Sequence, residues 1–174
     1  VLEFNYTKPD WPVATGPDRY RRALYVFRKR SMPDPALSTF DAPTADTACV
    51  RRPRSNTPLA ALTSLNEPIF VEASQALALR ILREGGRNDA ARADYAYRLC
   101  TGRGIKPAER TALLQLLAVQ RKQIAEGWLQ SNQIASGDDA KRPALPPHTI
   151  PQDAAAWTIA ARVLLNLDET LTKN

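Results

Sequence analysis

Twice in quick succession the chain sets a polar side chain, a proline and a large apolar residue in order: Asn56-Thr57-Pro58-Leu59, then Asn66-Glu67-Pro68-Ile69. A hydroxyl or amide side chain can accept from the free N–H groups of a first helical turn. Proline suits that turn because the donor it lacks has no partner there anyway. Each stretch therefore predicts a helix start. Leu59, Leu62 and Leu65 follow the first at spacings of three, and Ile69, Ala73, Ala76, Leu77 and Ile81 form a helical stripe after the second. Gly85-Gly86 stops that helix.

The same grammar continues. Asn88-Asp89 caps a further predicted helix through "AARADYAYRLC", closed by Gly102 and Gly104. Pro107 opens another, with Leu113, Leu116, Leu117, Gln120 and Ile124 on one side and an end near Gly127. The last predicted helix, "AAAWTIAARVLLNLDETLT", turns Trp157, Ala161, Leu164 and Leu165 inward. Upstream, "GPDRYRRALYVFRKR" predicts a helix from Pro17 or Asp18, with Tyr20, Leu24 and Phe27 on one face. No alternation with a period of two lasts long enough for a strand. The expected class is all-α: one helical bundle of about five to six helices over residues 1–174.

Three stretches resist the pattern. Residues 1–16 are punctuated by Pro9, Pro12 and Gly16 and predict irregular chain. A long loop is expected near residues 31–56, with one short turn around "DPALSTF" and Phe40 and Leu37 as pins. Residues 128–152 predict a polar, proline-bearing excursion.

The chain has 174 residues, 44% hydrophobic and 24% charged, an ordinary globular balance able to bury one core. Aromatics are only 7%, so alanine and leucine must fill that core. No apolar run approaches the ~20 residues of a membrane helix. No signal peptide is visible at "VLEFNYTKPDWPVATGP", and the chain is expected to be cut from a longer protein.

Net charge is +6, and it is unevenly placed. Arg19, Arg21, Arg22, Arg28, Lys29 and Arg30 share a stretch without an acid, and Arg51, Arg52 and Arg54 form a second cluster. Such runs attract phosphates or carboxylates, but they also serve as solvated faces or internal ion-pair donors. Arg21, Arg22, Arg51, Arg52, Arg54 and Asn56 are the candidate anion-binding or anchoring residues. Structural anchoring is the expectation, because an irregular segment with few large apolar groups must be held by something else.

Catalytic machinery is not legible. There is no nucleophile elbow, Walker loop or dinucleotide fingerprint, and Gly85-Gly86 is a helix stop rather than a phosphate loop. Asp41, Glu67, Glu72, Asp168 and Glu169 are the pool from which a pair of hydrolytic carboxylates would come. Cys49, Cys100 and the one histidine, His148 in a proline-rich segment, match no common metal-ligand or haem-attachment pattern, so no metal or cofactor is expected. The two thiols could pair in an oxidising compartment, or sit buried as small apolar groups. The basic runs lack a nucleic-acid recognition motif, which disfavours a nucleic-acid partner.

Taken in order, "DRYRRALYVFRKRSMPDPALSTFDAP", "CVRRPRSNTPLAALTSLNEPIFVEASQALALRIL", "YRLCTGR" and "ARVLLNLDETLTK" resemble the C-terminal planctomycete-specific domain of unknown function. The resemblance runs from about Trp11 to Lys173, and this chain is similar to the C-terminal portion of that domain. Ala60 departs from it, standing where family members usually carry Gln. The resemblance implies an exported, periplasmic or envelope setting at the end of large proteins that often begin with a cytochrome-c-like domain. It implies no catalytic residue. The expected function is a non-catalytic helical interaction or structural module, whose partners are other domains of its parent chain or an envelope protein. The alternative is a carboxylate-based hydrolase, or a domain binding an anionic, carbohydrate-related ligand through the arginine cluster.

Overall fold

The structure is a computed structural model that describes residues 14, 16–26, 33–44, 46–53, 55–136 and 144–172. Among them there are helices and turns and no strand, which agrees with the all-α expectation. The chain divides into two compact units, Val1–Pro53 and Arg54–Asn174.

In the first unit, two 3-10 turns (Gly16–Tyr20 and Ala23–Tyr25) stand where a longer helix was expected from Pro17. Arg22 between them has an extended backbone, φ −60° and ψ 150°. Tyr20, Leu24 and Tyr25 are 60%, 78% and 60% exposed, so these residues of the intended apolar face stay largely in solvent. A short helix without burial does not repay its nucleation, and clustered arginines add repulsion. Phe27–Arg30 lie outside the described residues. The expected turn around "DPALSTF" is α1, Pro35–Thr39, whose first turn is capped by Asp34 accepting from the Leu37 N–H at 2.9 Å.

The second unit is the bundle. Its elements are α2 (Pro58–Asn66), α3 (Pro68–Glu84), α4 (Asp89–Thr101), α5 (Pro107–Ala125), α6 (Ser131–Ser136), α7 (Pro151–Leu165) and α8 (Asp168–Leu171). The start signals work as expected. Thr57 Oγ1 accepts from Ala60 N at 3.1 Å, and Asn88 Oδ1 from Ala91 N at 2.8 Å. Gly102 ends α4 at φ 81°, a left-handed conformation that costs other residues steric strain.

Two apolar faces are rotated from their expected positions. On α2, Leu59 and Leu62 are exposed, while Ala60 and Ser64 turn inward. On α3, Ala73 and Ala76 face out and Ile69 and Leu77 are half-buried, leaving Ile81 from the expected stripe fully inside. Ser74, Ala78, Leu79 and Leu82 join it. Ser74 can occupy the interior because its hydroxyl lies 2.9 Å from the Phe70 carbonyl and 2.7 Å from that of Val71, so no polar group is left unsatisfied. Within the expected excursion at 128–152, α6 buries Ala135, and Gln75 Nε2 of α3 donates to the Ile134 carbonyl at 3.0 Å.

At the centre lies α7. Ala154, Ala155, Ala156, Trp157, Thr158, Ala160, Ala161 and Leu164 are all buried. It packs against α2, α3, α4, α5, α6 and α8. A helix that buries this much of its surface has to be packed by several others, and alanine lets those neighbours approach closely. Cys49 is exposed and Cys100 buried, and the two form no disulfide, so of the pair Cys100 acts as a small core group. No helix among the described residues is long and apolar enough to cross a membrane.

Trp157 is 0% exposed and is the largest fully buried side chain. Trp157→Ala should therefore lower the unfolding free energy by about 3–5 kcal/mol, read from urea denaturation. A loss under 1 kcal/mol would show that α7 is not the centre of the core.

Candidate functional site

The arginine residues singled out in the sequence fall into different environments. Arg21 Nε pairs with Asp18 at 2.8 Å, both side chains largely in solvent. Arg22 and Arg51 are exposed, and Arg54 lies outside the described residues. Arg52 bonds to backbone: its Nε donates to the Asp41 carbonyl at 2.9 Å and its Nη2 to the Phe40 carbonyl. Those carbonyls end α1, where Asp41 turns through a left-handed φ of 54°. The guanidinium thus braces a helix end that the chain alone holds poorly. Asn56 donates to Asp168 Oδ1 at 3.1 Å, joining the approach to α2 with α8.

The convergent polar chemistry lies elsewhere, around Arg103. The loop Gly102–Lys106 between α4 and α5 projects this side chain between two carboxylates. Nη2 and Nη1 bind Glu109 Oε1 and Oε2 at 2.7 and 3.0 Å. Nε and Nη2 bind Glu169 Oε1 and Oε2 at 2.7 and 2.8 Å. The same guanidinium lies over the Tyr97 ring, 4.9 Å from its centroid. Glu109 also accepts from the Lys106 N–H at 2.8 Å, fastening the start of α5. Arg103 and that backbone donor hold the Glu109 carboxyl down to about 2. Glu169 is lowered by the same arginine, and the Arg103 guanidinium is raised by both glutamates, Glu109 foremost. Burial, then the Glu109 charge, pushes the Tyr97 phenol up.

A second knot joins the starts of two helices to α5. Arg121 binds Asp89, in the first turn of α4, at 2.5 and 3.0 Å, and Asp153, in the first turn of α7, at 2.8 Å. Asp89 is drawn below the usual carboxylate range, chiefly by Arg121. The Trp157 indole N–H adds a small pull on Asp89, yet that buried nitrogen has no partner in hydrogen-bond geometry.

Further ties repeat the theme. Arg110 gives two donors to Asp94 Oδ1, at 2.9 and 2.6 Å, between α5 and α4. Glu84 receives Tyr95 and Arg80, and these two hydrogen bonds lower its carboxyl. Arg162 of α7 donates to the Leu65 carbonyl in the last turn of α2, while its buried Nε is left without a partner. Ser64 Oγ also lies 2.9 Å from Asn166 Oδ1.

The sequence offered some signal for these residues. Lys106-Pro107-Ala108-Glu109 has capping-box spacing, and Asp89 and Asp153 are first-turn acids favoured by the helix dipole. Their arginine partners come from distant segments and have no local signature. Chemically, the pairing favours the ionised forms of Glu84, Asp89, Glu109 and Glu169, whereas a general acid needs its pKa raised. His148 is exposed on a left-handed backbone, φ 62°. Among the described residues no group of three His, Cys, Asp or Glu side chains could hold a metal ion.

The architecture is that of a helical domain tied by arginine–carboxylate pairs at its helix ends. A family model described as PSD1, a protein of unknown function (DUF1553), matches residues 3–117, more than half of the chain, and the chain belongs to that family. No curated protein and no solved structure matches.

Two outcomes follow from this geometry. Glu109 is more acidic folded than unfolded, so its contribution to stability is complete above the ordinary glutamate value near 4.3 and is lost as pH falls through about 2. Urea titrations between pH 6 and 2 should show that acid limb flattened in Glu109→Gln; an unchanged limb would refute the pairing. Separately, Arg52→Lys keeps the charge but loses the planar fork, and should quicken proteolytic cleavage between residues 33 and 53. Arg51→Lys should not. Equal cleavage of both variants would remove the bracing role of Arg52.

Proposed function

We propose that this chain is a non-catalytic helical module that serves as a structural and interaction domain. Its place, on this reading, is the C-terminal part of an exported bacterial multidomain protein, and its partners are other domains of that parent chain or an envelope protein. The observation that carries the proposal is how the charged groups are spent. Arg103 satisfies two carboxylates and Arg121 two more, and Glu109, Glu169 and Asp89 are lowered rather than poised for proton transfer. A site built for turnover keeps some donors and charges directed at an absent reactant. Here they fasten one helix end to another. The hydrolase alternative also loses part of its pool, since Glu169 is bound by Arg103 and Asp168 by Asn56.

Exported or envelope placement is supported by the order of the sequence motifs and is compatible with the lack of a membrane-spanning helix among the described residues. The test combines catalysis and association. Residues 1–174 should leave chromogenic glycosides and esters intact, and should bind the remainder of the parent protein in isothermal titration. Turnover that disappears in Asp41→Asn or Glu72→Gln, without such binding, would replace the module with a hydrolase.

A further inference from the structure

The attachment of α8 differs from that of every longer helix in the bundle. None of its residues is buried. Its links are polar: Glu169 to Arg103 at 2.7 and 2.8 Å, Asp168 to Asn56 at 3.1 Å, and the Thr170 hydroxyl to the Leu164 carbonyl at 2.8 Å. The Glu169 side chain is 45% exposed and that of Arg103 32%, so water and salt reach the principal link. By contrast α7, which leads into α8, buries eight residues, from Ala154 to Leu164, in the core. Segments with little burial and solvent-exposed polar bonds open at lower free energy than the core they lie on.

The second carboxylate on Arg103 matters here. If Glu169 leaves, Glu109 still occupies the guanidinium through two hydrogen bonds, and the Tyr97 ring still lies beneath it. No uncompensated cation is left behind. The fastening point therefore keeps its shape whether α8 is bound or not.

We propose that α8 is a salt-releasable strap, fastened by Arg103, that lifts from the C-terminal end of α4 while the rest of the bundle stays folded. α8 contacts α4. The last turns of α4 carry Tyr97 and Cys100, which are 7% and 6% exposed. Lifting the strap uncovers that end of α4, and the Cys100 thiol becomes its natural reporter. Cys49 is exposed throughout and supplies the internal control.

The experiment uses the full chain and a maleimide reagent, with modification at Cys100 and Cys49 followed separately by mass spectrometry. Glu169→Gln should speed modification of Cys100 by roughly two- to fivefold, the weight of one exposed ion pair. Raising the salt from low to molar concentration should do the same to the wild type, because exposed pairs are screened. The urea midpoint and the Cys49 rate should not move. Hydrogen exchange supplies a second readout: residues 166–172 should lose protection in Glu169→Gln while residues 151–165 keep theirs. The strap is overturned if residues 166–172 keep their protection. It is equally overturned if Cys100 and the urea midpoint change only together, which would mean global unfolding.

Discussion

Everything in the second unit depends on α7 being enclosed. Its alanines at 154–156, 160 and 161 are buried, so the neighbouring helices have little side-chain volume to accommodate on those faces. Trp157 and Leu164 fill what alanine leaves. This explains how a chain with 7% aromatic residues builds a dense interior: it brings backbones close instead of inserting large rings. Because α7 touches most of the other helices, it also sets where each of their ends falls.

Those ties have a common logic. A helix start exposes N–H groups and a partial positive charge, so an acid in the first turn is favourable; a helix end invites a cation or another donor. Asp89, Glu109 and Asp153 occupy first turns of α4, α5 and α7. Once ionised there, each can take an arginine from a different helix or loop, as Arg121 and Arg103 supply. Arg162 uses the opposite end, donating to a carbonyl in the last turn of α2. The arginines thus convert local capping chemistry into tertiary connections. Exposed pairs of this kind add little each, so apolar burial holds the bundle together while the arginines fix the positions of helix ends.

This division explains what was legible in the sequence. Helix starts at Pro58, Pro68, Asp89 and Pro107 were readable because caps, prolines and glycines act on neighbours within a few residues. The facing of α2 and α3 was less so. Ser64 and Ser74 look polar in a pattern, but each hydroxyl donates to a carbonyl of its own helix and can turn inward. In the first unit, Tyr20 and Leu24 look like a core face but stay largely exposed, and the expected helix gives way to two 3-10 turns. The Arg103 cluster was hidden for a different reason: Glu169 lies 66 residues away, and periodicity carries no information about such a pair.

The family match ends at Leu117, inside α5, and so leaves out α6, α7 and α8. The matched helices α3, α4 and α5 nevertheless direct Ile81, Ala96 and Leu117 into the same core as Trp157. Their apolar faces make physical sense only with α7 between them. The same holds for the polar chemistry, because Arg103 and Glu109 lie within the match while Glu169, their third member, lies beyond it. The physical unit is therefore the bundle from α2 to α8. A role assigned to this family from residues 3–117 alone would leave out α7, against which α3 and α5 pack.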